Sequence, residues 1–399
     1  MRGRGKVKML AFTLALAFCW AVQWAGEARG EGAVFSAGET FHGNGNGGLA
    51  GEMPGEDWSA IDDFLQKETE GPGPSITFTD LAGAIWRGDG EGVGSMILSL
   101  LWQFLFQEIT QGGRLAGELL ALGLVGAIFA GFSHIFTGGQ ISEAAFFMTY
   151  LLAFSTLAAA FFDSAAITLE VLGKQAEFMK VLMPSYFLAV AWVGGSASSI
   201  AWMELVLFLI GAVQWMYLHL LLPLTKIYML LAMAGNMAGE DVLSKLTDLV
   251  QSVVCWGRRS LAGAVLGFQL IQGMVLPYAD AVQSTGTQKI LQAIPGAEAV
   301  TKTLFGSGVL IKNTMGAAAV VVLVVLSLVP LVKLAILLFL YQAVAAILQP
   351  IGDKRLVACI SCVARGQKML LELAASALLL FVITIALICA GTNIPYFLS

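Results

Sequence analysis

The sequence predicts an all-α protein: a polytopic transmembrane helix bundle of about seven or eight spans, preceded by a signal peptide and a mostly flexible external segment. Apolar residues make up 57% of the chain and charged residues only 12%, whereas a soluble domain carries roughly 25% charged residues. Several stretches reach the ~20 apolar residues that a helix needs to cross a ~30 Å hydrocarbon layer. Inside such a layer every backbone N–H and C=O must be paired within its own segment, which favours helices.

Residues 1–28 have the features of a secretory signal peptide. Four basic residues among the first eight precede an apolar run from Met9 to Ala25, and small residues follow. This order of basic, apolar and small residues is typical of such leaders. We expect cleavage after Ala28, and an uncleaved anchor is the alternative interpretation. Both interpretations carry the next segment across the membrane.

Residues 29–94 form an acidic, Gly-rich segment that we expect to be extracytoplasmic. From Glu31 to Glu91 there are twelve acidic residues and two basic ones. The stretch Glu52–Glu70 predicts a short amphipathic helix with Ile61 on its apolar side. Residues 95–111 predict an interfacial amphipathic helix that lies on the membrane surface. The segment is therefore interpreted as a tether or docking arm.

Residues 112–399 form the predicted transmembrane helical domain, which also contains a long polar loop at residues 278–313. A loop of that length in a compact bundle is usually functional or docked onto a partner. Residues 224–234 either extend the fourth span or re-enter the membrane. The candidate spans are Leu115–Phe136, Ala144–Phe162, Pro184–Ile200, Met203–Leu222, Leu261–Pro277, Gly316–Val329, Leu331–Gln349 and Met369–Ala390.

The stretch Gly316–Gln349 allows two interpretations, one long helix kinked at Pro330 or two helices joined by a tight turn there. The loop Ile351–Lys368 holds four basic residues and one acidic residue, and basic short loops favour the cytoplasm. With the N-terminus outside, this loop is cytoplasmic only if seven spans precede it. The sequence therefore favours the hairpin and a total of eight spans.

Small residues mark candidate packing faces. Gly263 and Gly267 form a G-x-x-x-G pair, which lets two helix backbones approach closely. The patch Ala191–Ser199 allows two interpretations, a close helix contact or the lining of a polar cavity. Its candidate residues are Gly194, Gly195, Ser196 and Ser198.

The sequence offers no convincing catalytic or metal-binding constellation, so we expect a protein that is not an enzyme and uses no cofactor. It has three histidines in all, and Cys359 and Cys362 form a lone C-x-x-C without a second pair. It contains no nucleotide-binding motif, and no nucleic-acid partner is expected. An ionisable residue within a span is a functional suspect, but Glu118 and Arg114 form an i,i+4 pair that can neutralise itself.

Two C-terminal motifs carry a resemblance to a known family. The stretches LIKNTMG (residues 310–316) and AAILQPIG (residues 345–352) are similar to the C-terminal signatures of the stage III sporulation protein AE family. The resemblance runs from about Gly112 to the C-terminus, although Asp353-Lys-Arg355 replaces a more Gly-rich turn. Asn313 and Gln349 are interpreted either as helix caps or as partner contacts. The motif residues singled out for partner contact are Lys312, Asn313, Gly316, Gln349, Pro350 and Gly352.

The resemblance implies a role in endospore formation. Family members lie in the mother-cell membrane around the engulfed forespore and take part in a secretion-like channel that supports late forespore gene expression. The implied partners are the other stage III A membrane proteins, a forespore-side protein, the lipid bilayer and an ATPase subunit acting in trans. The alternative function is a solute permease that works alone, with residues 191–199 lining its path.

Overall fold

A computed structural model describes residues 61–63, 78, 82–83, 94, 113–126, 128, 140–192, 198–238, 243–291 and 297–391. Within the helices, side chains are described at 147–189, 203–236, 243–271 and 312–389. The signal peptide at 1–28 and the interfacial helix at 95–111 lie outside the described residues and stay predictions.

The described part of the chain is helical apart from the turn at residues 349–353, and it contains no strand. This confirms the all-α fold class. The long elements are α1 (Gln140–Trp192), α2 (Ser198–Met216), a π-helix (Tyr217–Leu221), α3 (Leu222–Ala238), α4 (Ser244–Leu291), α5 (Ala297–Leu348) and α6 (Lys354–Gly391).

The helices are longer than the sequence predicted, because they continue through prolines. α5 contains Pro330 in its interior, so the favoured hairpin is wrong and the long-helix alternative is correct. α1 contains Pro184, so Ala144–Phe162 and most of the next predicted span belong to one helix. An interior proline costs roughly 3 kcal/mol, but a turn within an apolar layer would leave several backbone groups unpaired.

The predicted polar loop at 278–313 is also wrong over most of its length. Helix α4 extends to Leu291 and α5 begins at Ala297. The polar residues of this stretch predict a loop, but its Gln, Lys and Ala residues also have high helix propensity. Only residues 292–296, which include Pro295 and Gly296, lie outside these two helices.

Four helical stretches in the described residues are long and apolar enough to cross a membrane, which fits a membrane protein. They are Phe147–Ala189, Met203–Asn236, Lys312–Leu348 and Lys354–Cys389. The predicted total of seven or eight spans is therefore not confirmed. The predicted span Leu261–Pro277 lies in α4 and extends past residue 271, where the described side chains end, so it stays a prediction.

α6 is the central helix, since it contacts α1, α3, α4 and α5. Two contacts at different positions along α6 show whether each neighbouring helix runs parallel or antiparallel to it. Arg258 and Gln269 of α4 meet Glu372 and Thr384 in the same order along the chain, so α4 runs parallel to α6. Contacts from Phe161 and Tyr186 to Gly366 and Cys389 make α1 parallel as well.

The helices on either side of α4 run the opposite way. Gly316 lies against Cys389 and the Leu334 carbonyl meets Gln367, so α5 is antiparallel to α6. Tyr217 meets Ser376 and Asn236 meets Cys362, so the α2–π–α3 rod is antiparallel too. Successive rods therefore alternate in direction through the bundle.

Parts of the predicted external segment are folded. Ile61, Phe78 and Ala82 are fully buried, and the Phe78 N–H donates to Asp62 Oδ1 at 2.6 Å. Residues 61–63 are helical, in agreement with the amphipathic helix predicted there. The interpretation of the segment as a tether or docking arm stays a prediction.

One tight contact between α1 and the central helix depends on Gly366. A Cβ atom at this position would lie 2.8 Å from Cε2 of Phe161, a fully buried ring. A glycine in mid-helix costs roughly 0.5–1 kcal/mol relative to alanine. The absent side chain is therefore what lets the Phe161 ring pack on α6.

We expect Gly366→Ala to lower the free energy of unfolding in detergent by about 1–3 kcal/mol, because overpacking a tight core forces a shift. The matched control is Gly263→Ala, where a Cβ would meet nothing within 4 Å; it should raise stability by about 0.5–1 kcal/mol through helix propensity. Thermal unfolding of both variants checks this, and shifts of the same sign would contradict the packing argument.

Candidate functional site: a polar seam on the central helix

An ion pair links α4 to α6 inside the bundle. The Arg258 guanidinium donates to Glu372 Oε2 at 2.8 Å, and the two side chains are 19% and 24% exposed. The Lys368 ammonium lies 3.9 Å from the other carboxylate oxygen, Oε1. Glu372 therefore stands between two cations. A charge-assisted bond of this length is stronger than a neutral hydrogen bond, and partial burial limits its screening by water.

The polar contacts continue along α6 beyond Glu372. The hydroxyls of Ser376 and Tyr217 lie 2.9 Å apart, and Gln269 Nε2 donates to the hydroxyl of Thr384. Ser376 therefore pairs with the α2–π–α3 rod, and Thr384 pairs with α4. We call the set Lys368, Glu372, Ser376 and Thr384, with its partners Arg258, Tyr217 and Gln269, the polar seam.

Tyr217 reaches the seam from the π-helix Tyr217–Leu221. Pro223 follows within the same continuous rod. Its backbone nitrogen carries no hydrogen, so it cannot donate a hydrogen bond to the carbonyl of the fourth residue before it. A π-helical turn is a known way to accommodate such a break, and such turns are frequent at functional sites. Within this π-helix the exposed His219 ring stacks on the Trp215 ring, with ring centroids 5.8 Å apart.

A second cluster lies nearer the start of α6. The sulfur of Cys362 accepts from Asn236 Nδ2 at 2.9 Å and from the Arg365 guanidinium at 2.7 Å. Cys359 is buried one turn earlier. The described residues contain no group of three or more His, Cys, Asp or Glu side chains that could hold a metal ion.

The first family motif lies at the opposite end of α6. Lys312 is 0% exposed, and Gly316 lies so close to Cys389 that a Cβ would overlap its sulfur. The Tyr186 hydroxyl and the Cys389 sulfur are 2.6 Å apart. Lys312 and Gly316 therefore lie on the inside of the bundle, beside α1 and α6, and Asn313 is only half-buried beside them.

The second family motif forms the turn between α5 and α6. The N–H groups of Ile351 and Gly352 donate to the Leu348 carbonyl at 3.2 and 2.6 Å, which caps the end of α5 with backbone alone. A Cβ on Gly352 would lie 2.9 Å from that same carbonyl oxygen. Gln349 and Pro350 are exposed. The structure therefore places the two motifs at opposite ends of α5 and does not bring them together.

The predicted small-residue positions are placed differently. Gly194, Gly195 and Ser196 lie outside the described residues, as does the side chain of Ser198. A Cβ on Gly263 or Gly267 would meet nothing within 4 Å, so this G-x-x-x-G pair makes no close helix contact within the described part of the chain. The Arg114–Glu118 ion pair is confirmed at 3.2 Å, with side chains 86% and 49% exposed.

Sequence reasoning missed the polar seam. Glu372 was visible as an acidic residue within the apolar stretch Met369–Ala390, a signal that marks a functional suspect. Its partner Arg258 is 114 residues away in sequence, so no local pattern connects the two. Arg258 lies outside the predicted spans, whereas the structure places it inside α4.

What the seam can do chemically is hold helices in register. A hydrogen-bonded ion pair in a low-dielectric interior is costly to separate, and hydroxyl and amide pairs between helices add about 0.6–2 kcal/mol each. Across the described residues the seam joins three rods, α4, the α2–π–α3 rod and α6, at three successive levels.

Comparison with known proteins gives one family. The family model described as stage III sporulation protein AE matches residues 76–392. The stage III sporulation protein AE of Bacillus subtilis (strain 168) is 23% identical over 303 residues, which cover 74% of this chain and 76% of that relative. No solved structure matches.

We expect Glu372→Gln to lower the free energy of unfolding by about 2 kcal/mol, because it removes a charged hydrogen-bond partner from Arg258. The double variant Arg258→Met, Glu372→Leu should recover part of this loss, since it leaves neither charge unpaired. Glu118→Gln, in the exposed pair, is the matched control and should change stability by less than about 0.5 kcal/mol. Thermal unfolding in detergent measures all three, and equal effects of Glu372→Gln and Glu118→Gln would contradict a structural role for the seam.

Proposed function

This chain belongs to the stage III sporulation protein AE family, and we propose that it is an integral membrane subunit of a channel-like complex between the mother cell and the forespore. The observation that carries the proposal is the family match, which extends over residues 76–392 and supports a role in sporulation. In this role the protein acts through assembly, and it is not an enzyme.

The helices support a membrane position. Four stretches in the described residues are long and apolar enough to span a bilayer. Large apolar side chains are also exposed on the outside of the bundle, where lipid or a partner would cover them. Phe208, Trp256, Met148 and Phe339 are examples. We place the protein in the mother-cell membrane around the forespore as a multi-pass protein with its N-terminal segment extracytoplasmic.

The partners in this proposal are the other stage III A membrane proteins, a forespore-side protein and an ATPase subunit acting in trans. The α5–α6 turn is the proposed contact point. Its backbone caps α5 without help from a side chain, so Gln349 and Pro350 are exposed without a capping role there. Ile351 beside them is 61% exposed. An exposed apolar side chain next to exposed motif residues is typical of a docking surface.

The first test removes the gene from a sporulating host and follows engulfed forespores with a forespore-specific late-transcription reporter. We expect arrest after engulfment and a silent reporter, both restored by the wild-type gene. Complementation with Glu372→Gln should restore less activity than complementation with the control Glu118→Gln, because only the first disturbs the seam. Normal spores and full reporter activity in the deletion strain would overturn the proposed function. Solute transport by the purified protein alone in vesicles would favour the permease instead.

A second prediction separates docking from folding at the turn. We expect Gln349→Ala to leave thermal unfolding unchanged and to lower reporter activity, because an exposed side chain that caps nothing contributes to contact rather than stability. Gln251→Ala, at a half-exposed glutamine of α4 outside the family motifs, is the matched control and should change neither quantity. A stability loss in Gln349→Ala without a reporter effect would support the capping interpretation.

A further inference from the structure

Charged side chains follow one another along the outward face of α1. Asp163, Glu170 and Glu177 are exposed and lie seven residues apart, so they share one face of the helix. Each interval of seven residues corresponds to about 10 Å along the helix axis. Lys174 lies on the same side, and its ammonium is 2.9 Å from Oε1 of Glu170. We call these four residues the charged stripe.

A contact with α5 shows the depth of the stripe in the bundle. Gln175 lies between Lys174 and Glu177 in sequence, and its Nε2 donates to the Ser327 hydroxyl of α5 at 2.9 Å. Ser327 belongs to residues 313–332 of α5, which contain no charged residue. These residues are part of a stretch that is long and apolar enough to cross a membrane. The second half of the stripe therefore lies at the depth of an uncharged part of α5.

The contacts of α1 with α6 give the same depth. Phe161 lies against Gly366, and the Tyr186 hydroxyl is 2.6 Å from the Cys389 sulfur. Residues 163–180 of α1 therefore run beside the part of α6 between these two contacts. In residues 369–389 of α6 the only charged residue is Glu372, which pairs within the polar seam. The stripe thus lies where both neighbouring helices are apolar, a depth that corresponds to the hydrocarbon layer of a membrane.

The order of residues along the outward face of α1 is the reverse of the order expected beside lipid. A helix in contact with lipid is apolar in the middle of the membrane and carries its polar residues near the two surfaces. On α1 the exposed residues Met148 and Leu152 precede the charged stripe, and the exposed residue Leu188 follows it. Ionised side chains are costly in hydrocarbon and are found where they face water or other polar groups. Lipid is therefore a poor neighbour for this face.

We propose that the charged stripe of α1 lines a water-filled path across the membrane, through which water and small hydrophilic solutes pass. Glu170 and Lys174 already neutralise each other, and the Glu170 side chain stays 64% exposed in this pair. A pair of this kind is solvated by water, which favours water over a partner helix as the neighbour of the stripe. The other walls of the path belong to further subunits. This inference rests on the proposed channel-like role and adds the residues that face the path.

The test places a thiol on the stripe and measures its reaction with a cationic, membrane-impermeant methanethiosulfonate. The thiol must first lose its proton to water, and its sulfur then forms a mixed disulfide with the reagent and releases a sulfinate. Glu177→Cys and Glu170→Cys provide two independent positions in the full-length protein. The reagent is added to both sides of native membranes, and mass spectrometry locates the labelled residue. The wild-type chain, which has five cysteines, gives the background.

Trp215→Cys is the matched control at a similar depth on another rod. Trp215 is 60% exposed and follows Gln214, which accepts a hydrogen bond from Lys180 of α1 at 2.6 Å. We expect both stripe variants to react at least about tenfold faster than Trp215→Cys, because a thiol surrounded by lipid cannot ionise. Thermal unfolding in detergent shows that each variant is folded. Equal rates in folded variants, or no labelling of the stripe above background, would overturn the proposed path.

The late-transcription reporter separates this inference from the proposed function. Complementation with Glu177→Cys that restores the reporter, together with no labelling of that variant, would overturn the water-filled path and leave the channel-like role in place. Rapid labelling of both stripe variants, together with full reporter activity in the deletion strain, would support a water-lined face and overturn the sporulation role proposed for it.

Discussion

Backbone groups in an apolar layer find no hydrogen-bond partner outside their own helix, and this constraint favours helices that continue through their prolines. Breaking a helix at Pro330 would avoid the steric clash of the proline ring, but it would leave several backbone N–H and C=O groups without hydrogen-bond partners. The chain instead keeps Pro184 and Pro330 inside helices of 53 and 52 residues. At Pro223 it uses a π-helical turn directly before the proline. Long, continuous helices can pack together in only a few arrangements.

Once the rods are long, their register has to be set by side chains. Two helices in purely apolar contact can slide along each other, whereas a hydrogen bond between their side chains forms only in a narrow range of distance and angle. α6 carries such pairs to several neighbours: Glu372 to α4, Ser376 to the π-helix, and Gln367 to α5. The Gly366 contact with Phe161 adds a steric stop on α1. Central position and polar content therefore go together in α6, because the helix that packs against α1, α3, α4 and α5 is the one that can align them.

This division explains what the sequence could predict. Composition and apolar length predicted the all-α class, and i,i+4 spacing predicted the Arg114–Glu118 pair, since both signals are local. The motif around Lys312 was recognised from sequence, but its burial against Cys389 was not visible there. The 114-residue separation of Arg258 and Glu372 put the seam beyond local patterns. The hairpin at Pro330 was wrong for a related reason: proline and charge rules describe where helices often end, and here the helix continues through the proline.

The placement of the two family motifs argues that they serve different purposes. Lys312 and Gln349 are 37 residues apart on one continuous helix, which separates them by about 55 Å along its axis, more than the ~30 Å of a hydrocarbon layer. The Lys312–Gly316 end is buried between α1 and α6, where a substitution acts first on packing. At the other end Gln349 and Pro350 are exposed and α5 is capped by backbone, so a change of the Gln349 side chain leaves the cap of α5 in place.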